Sequence, residues 1–221
     1  MKPAYIHLIR HAQSEANADR RIYGTIPDHK INLSEFGRRQ AHEAGRQFRG
    51  TLGRLSGKRP IAVYLSPFAR TRQTCDEFLK GMEISPGQLY LKHENQEIRE
   101  QEFGHFHSQA ELDRIEKERN DYGTFYYRIP DGESGADVYS RCALFLETLY
   151  RDFKKRDYPR HVLIFSHGLT IRLLIMRWLH FTHEQFEEMK NPENTGITTL
   201  RLNPKTDKYE LVKPFPKWKE P

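Results

Sequence analysis

Only two cysteines, Cys75 and Cys142, occur in 221 residues. That is too few for a disulfide scaffold. Both fall inside helix-like patterns, so two reduced, part-buried thiols are expected. No apolar run is long enough to span a bilayer. The opening Met1-Lys2-Pro3-Ala4 runs at once into a short apolar stretch, without the long apolar core and small-residue cleavage site of a secretory signal. A cytoplasmic protein with no membrane partner is therefore expected. Internal repeats and low-complexity segments are absent. No tract of lysine and arginine interleaved with aromatics suggests nucleic-acid binding, so no nucleic-acid partner is expected. His105 and His107, with His93, have the residue types of a metal site, but read better as surface histidines in a loop, and no metal is expected.

What is present is a polar surface around a well-stocked core. Charged residues make up 30% and hydrophobic residues 37%, with 13 Phe and 11 Tyr, more aromatics than a disordered chain carries. The length suits a single domain over 1–221. The net charge of +6 favours anionic partners, although most such charges only solvate a surface.

Three short apolar runs, Ala4–Ile9, Ile61–Leu65 and His161–Phe165, suit strands buried on both faces. Helical patterns alternate with them. Ser34 can cap a helix over Glu35–Arg49, and another covers Ala69–Leu79. Ala136–Lys154 follows the cap-like Ser134-x-x-Asp137. Leu169–Leu179 and Thr182–Met189 follow, and Ile197–Leu202 and Tyr209–Pro214 read as a closing pair of strands. The alternation predicts a three-layer α/β/α fold with a mostly parallel central sheet. Residues 81–133 break it and read as an insertion over the active-site end of the sheet. They include a charged helix over Ala110–Arg119 and the aromatics Tyr122, Phe125, Tyr126 and Tyr127, which could line a substrate mouth or pack the insertion on the core. The tail, Lys213–Pro221, reads as extended.

Ligands of open α/β sheets bind at the carboxyl ends of the strands. Arg10 and His11 follow the first apolar run. Ser66 to Arg70 follow the second, and Ser166, His167 and Gly168 the third. Parallel strands would bring two histidines and two arginines to one rim. Two guanidinium forks match the charge and oxygens of a phosphomonoester. A neutral imidazole can act as nucleophile near neutral pH, and a second, protonated imidazole can stabilise charge on the equatorial oxygens.

Five segments, in order, carry a resemblance to the histidine phosphatase superfamily, also called phosphoglycerate-mutase-like. They are Leu8-Ile9-Arg10-His11-Ala12-Gln13-Ser14-Glu15-Ala16-Asn17, Ser66-Pro67-Phe68-Ala69-Arg70, Ile98-Arg99-Glu100-Gln101-Glu102-Phe103-Gly104, Gly132-Glu133-Ser134 and Phe165-Ser166-His167-Gly168. The chain is most similar to plant and fungal acid phosphatases of that type. The resemblance implies a phosphoglycerate-mutase-like fold and a metal-independent phosphomonoester hydrolase with no cofactor. It implies His11 as the phosphohistidine nucleophile, Glu100 as acid and base, and His167 as charge stabiliser. Arg10, Arg70, Asn17 and Gly168 would bind the phosphoryl group. Glu102 and Glu133 are other carboxylates near Glu100.

Ala12 and Gln13 depart from the family's Gly-Glu, and a positive φ at Ala12 would be strained. Tyr23-Gly24 stands where the mutases usually carry Thr-Gly, and their paired arginines are missing from the insertion, which favours hydrolysis. The substrate implied is a phosphorylated small molecule, with a phosphoprotein as alternative. A mutase-type phosphotransferase and an idle phosphate-binding protein are the competing readings. The oligomeric state is left open.

Overall fold

A computed structural model describes residues 2–52, 60–104 and 108–218. The strands are β1 (Tyr5–Arg10), β2 (Ile61–Leu65), β3 (Leu89–Glu94), β4 (His161–Ser166), β5 (Ile197–Asn203) and β6 (Lys208–Leu211). They form one sheet in the order β3-β2-β4-β1-β5-β6. β3, β2, β4 and β1 run parallel, and β5 and β6 add an antiparallel edge beyond β1.

Alternation along the strands divides the core in two. Ile6, Leu8, Ala62, Tyr64, Val162 and Ile164 pack against helices α5 (Gly135–Asp152) and α6 (Gly168–Leu179). Ile9, Ile61, Val63, Leu65, Leu163 and Phe165 turn to the opposite face, against α2 (Glu35–Thr51) and α3 (Ala69–Gly81). This is the expected three-layer arrangement. Short helices α1 (Glu15–Ala18) and α7 (His183–Glu187), and α4 (Gln109–Tyr122), complete the helices used below.

The helix starts follow their caps. Ser34 accepts from the Gly37 N–H, and Ser134 and Asp137 form a reciprocal capping box at α5. Cys75 and Cys142 are free and fully buried on opposite faces of the sheet. Burial pushes both thiols up to about 12. The tail lies along the end of α7, with Trp218 N–H donating to Glu188 O at 3.0 Å and Lys190 N–H to Pro216 O at 2.8 Å.

One element differs from the sequence reading. Within 81–133, residues 89–94 are not an interruption but the edge strand β3, paired in parallel with β2. Leu89 is its one buried side chain, and Lys92, His93 and Glu94 are exposed, so no apolar run marks it. The segment that lies over the end of the sheet therefore starts after Glu94. Its four aromatics divide between packing and solvent. Phe125 is buried against Phe186 and Tyr139, Tyr127 Oη donates to Glu118 at 2.6 Å, and Tyr122 and Tyr126 face solvent.

Two backbone approaches set the α2–α3 contact. A Cβ at Gly45 would stand 2.0 Å from Phe78 O, and one at Gly81 the same distance from His42 O. Gly45→Ala is therefore expected to destabilise the fold by about 1–3 kcal/mol, read as a lower urea midpoint. An unchanged midpoint would contradict this packing.

His7 is buried between β4 and β5, with Nδ1 on Thr199 Oγ1 at 3.0 Å and Nε2 on His161 Nδ1 at 3.2 Å. Burial, with the neighbouring His161, pushes it down to about 3. Unfolded, it takes up a proton near pH 6.5, which the fold refuses, so stability falls as pH drops from about 6.5 toward 3, by up to about 1.4 kcal/mol per pH unit. His7→Asn should lower stability at pH 7 but flatten this slope in urea unfolding between pH 6.5 and 4. An equally steep slope would show that other groups carry the acid sensitivity.

Candidate active site

The carboxyl ends of β1, β2 and β4 lie level, with Ile9 and Leu65 both opposite Phe165. The ladder continues one step further, through His11 N–H to Ser166 O and Ser66 N–H to Phe165 O, both at 3.0 Å. These ends open into a cavity of about 1380 Å³. Arg10, His11, Asn17, Arg70 and Glu100 all line it.

His11 is almost fully buried. Its Nδ1 stands 2.8 Å from Ala12 O. A carbonyl only accepts, so Nδ1 carries the hydrogen and the Nε2 lone pair is left available. Burial, then the charges of Arg70 and Arg10, hold the imidazole well below its ordinary value, partly offset by the Ala12 bond. His11 is thus neutral at physiological pH.

His167 lies behind it, fully buried, with ring centroids 5.2 Å apart. Its Nε2 meets Ser66 Oγ at 2.8 Å and Thr71 Oγ1 at 3.3 Å. Its Nδ1 is buried without a partner among the described residues. Burial, then Arg70 and His11, push His167 well below the ordinary value as well. The protonated form expected of this second imidazole is thus disfavoured here, first by burial and then by the neighbouring cations. Gly168 does not line the cavity. It opens α6 and packs on Asn191, whose side-chain Cγ would stand 2.9 Å from a Cβ there.

Arg10 donates from Nη1 to Pro192 O at 2.6 Å, and its Nε is buried with no partner among the described residues. Arg70, 3% exposed, grips Asp28 with both forks, at 2.8 and 3.1 Å, and Asp28 O at 2.7 Å. That leaves its Nε–H and one Nη2–H for another acceptor. Asn17 is exposed. Its Oδ1 accepts from Ser14 N–H and Asn194 Nδ2, so its own amide hydrogens are the donors left over.

Glu100 Oε1 lies 3.1 Å from both the Gln101 N–H and Thr170 Oγ1. Its segment is held from beneath by Arg141. All five guanidinium hydrogens are used there, on Glu97 O, Arg99 O, Glu100 O and both oxygens of Glu133. Glu133 also accepts from Arg99 and Glu102 N–H. Burial opposes its charge, but Arg141 and these donors outweigh it and hold the carboxyl below its ordinary range. Glu133 is a clamp with no oxygen to spare. Glu102 is exposed on the cavity wall.

Ala12 has no positive φ, so the feared strain is absent. It is buried with Leu33 and Ala41, and its N–H donates to Thr74 Oγ1 at 3.0 Å. Gln13 is tied to Gln40 and Ser34, and a Cβ at Gly37 would stand 2.0 Å from Gln13 O.

Several partners escaped the sequence reading: Asp28, Thr74, Arg141, Thr170 and Asn194. Asn194 Nδ2 holds His11 O at 2.9 Å. Each lies far in sequence from the group it holds. Ser66 at a strand end was the one visible hint. Of the three histidines weighed as metal ligands, His105 and His107 lie outside the described residues, and His93 sits exposed on β3 against Tyr64. Among the described residues no cluster of three or more metal-ligating side chains occurs, and no helix is long and apolar enough to cross a membrane.

The sequence model of the histidine phosphatase superfamily, branch 1, matches residues 6–213. Phosphoglycerate mutase-like protein AT74 of Arabidopsis thaliana is 39% identical, over 95% of this chain and 68% of its own length. Broad-range acid phosphatase DET1 of Saccharomyces cerevisiae is 30% identical, over 98% of this chain and 91% of its own. Among solved structures, mycobacterial glucosyl-3-phosphoglycerate phosphatase superposes with a TM-score of 0.71 at 19% identity, covering 97% of this chain and all of that one. That last likeness bears on the fold. The sequence model and the relatives establish that the chain belongs to the histidine phosphatase superfamily, branch 1.

Proposed function

We propose that the protein is a phosphomonoester hydrolase that works through a phosphohistidine on His11. The observation that carries this is the Ala12 bond, which keeps the hydrogen on Nδ1 and leaves Nε2 of His11 available on a cavity lined by Arg10 and Arg70. A relative named as a broad-range acid phosphatase supports the same reading.

The steps balance as two in-line displacements. His11 Nε2 attacks phosphorus as the bond to the leaving oxygen breaks, and Glu100 gives that oxygen a proton. Glu100, now a carboxylate, takes a proton from water, whose oxygen attacks phosphorus and releases His11. Inorganic phosphate leaves. Arg10, the open edge of Arg70 and the Asn17 amide bind the phosphoryl oxygens.

His167 becomes useful only with the phosphoryl group in place. Ser66 can donate to Nε2, which puts the hydrogen on Nδ1, the atom left unpartnered. The dianion then favours protonation of a ring that the arginines alone disfavour. Arginines and His167 together supply the positive charge, so no metal is required by this scheme. The substrate is read as a phosphorylated small molecule, acted on in the cytoplasm.

Hydrolysis of an aryl phosphate should persist in excess chelator. His11→Ala should abolish it, by at least about a thousandfold. Glu100→Gln should lower turnover by about 100- to 1000-fold, while inorganic phosphate binding is kept. Full activity in His11→Ala, or loss on chelation, would refute the scheme.

A further inference from the structure

The loop between α7 and β5 is fastened to the end of β1. Pro192 O accepts from Arg10 Nη1 at 2.6 Å, and Thr195 N–H donates to Arg10 O at 3.2 Å. Asn194 Nδ2 holds His11 O at 2.9 Å, and Lys190 N–H is fixed on Pro216 O at 2.8 Å. Within this braced loop, Asn191 lines the cavity. Its side chain packs on Gly168, the residue after His167. A Cβ at Gly168 would stand 2.9 Å from Asn191 Cγ and 3.0 Å from Nδ2. Glycine is what lets the amide come so close to the end of β4. Asn191 is thus held between the strand end that carries Arg10 and His11 and the one that carries His167.

The orientation of the amide is set from α6. Arg172, one turn beyond Gly168, is 4% exposed. It donates from Nη1 to Asn191 Oδ1 at 3.4 Å and from Nη2 to Phe186 O at 2.9 Å. A guanidinium only donates, so the atom facing it is the amide oxygen. Nδ2 is the other arm of the amide, and its hydrogens meet no acceptor among the described residues. Arg172 makes no ion pair with a described residue, although a buried guanidinium gains from a carboxylate partner. Aspartate in this place would provide that partner, but it would put negative charge on the cavity beside Arg10. Asparagine offers Arg172 the same oxygen without the charge and turns two donors to the cavity instead. That choice suits a site that receives an anion.

We propose that Asn191 is a further substrate-binding residue, whose Nδ2 donates to a phosphoryl oxygen beside Arg10, with Arg172 as the positioning residue that fixes its amide. This rests on the reading of this end of the cavity as the phosphoryl site.

The test measures inorganic phosphate binding by calorimetry on the native full chain, Asn191→Ala and Asn191→Asp, with a urea midpoint for each. Asn191→Ala should weaken binding about tenfold or more, as expected for a hydrogen bond to a charged acceptor. Asn191→Asp should weaken it at least as much, yet keep or raise the midpoint, because Arg172 gains its carboxylate. Arg172→Gln should also weaken binding, but have little further effect in Asn191→Ala, since it acts through that amide. Native affinity in either Asn191 variant overturns the proposal. So does a loss of affinity matched by a fallen midpoint in both, the mark of a structural role. Additive losses from Arg172→Gln and Asn191→Ala overturn the positioning role. A native chain that binds no phosphate overturns the proposal together with the phosphoryl-site reading. Aryl phosphate hydrolysis by the native chain is read separately. Its absence while phosphate still binds sinks the hydrolase reading alone, and the affinities still decide the role of Asn191.

Discussion

The site is built around the cost of keeping guanidinium groups out of water. A charge buried without a partner costs several kcal/mol, on the order of 3–5 when one member of a pair is lost. Arg10, Arg70, Arg141 and Arg172 each donate to specific acceptors, and each match ties distant pieces of chain together. Arg141 joins α5 to the segment bearing Glu100. Arg70 joins α3 to the turn at Asp28. Arg10 joins the end of β1 to the loop before β5 through Pro192. Arg172 of α6 reaches Phe186 O at 2.9 Å and stacks on the Phe186 ring, which fastens α7. Burial, and after it the same cations, push His11 and His167 well below the ordinary imidazole value.

This arrangement explains why the Gly132-Glu133-Ser134 segment matters although none of its side chains faces the chemistry. Glu133 neutralises Arg141, and Ser134 caps α5, the helix that carries Arg141. The clamp fixes the backbone of 97–102, and Thr170 then holds one oxygen of Glu100 from the neighbouring helix. Thr170 Oγ1 also lies 2.8 Å from Arg99 O, so its single hydrogen has two acceptors. Glu100, the proposed general acid, thus sits on a braced segment rather than a free loop, as accurate proton transfer requires.

Much of this was legible in the sequence. The three central strands announce themselves because burial on both faces demands continuous apolar runs, and their carboxyl ends carry Arg10, His11, Arg70 and His167. β3 was not legible, because an edge strand with Lys92, His93 and Glu94 exposed has no such run. The role of Glu133 was hidden for another reason. Its partner Arg141 is eight residues away on a helix, and nothing in local spacing distinguishes a clamp from an acid. Asp28 and Arg119 line the cavity and Asn194 holds His11 O from segments far apart in the chain, and only the fold brings them to one site. What disfavours a charged His167 is first its burial and then the guanidiniums around it, which a linear reading cannot sum.

The account stands on covalent transfer to one nitrogen of one residue. The direct measurement is to mix the native chain and Glu100→Gln with an aryl phosphate, quench at alkaline pH, and map the peptides by mass spectrometry. The account predicts one acid-labile phosphoryl group on the peptide containing His11, accumulating further in Glu100→Gln because its hydrolysis is slowed. Steady turnover with His11 never modified, or a phosphoryl group found on another residue, would contradict it.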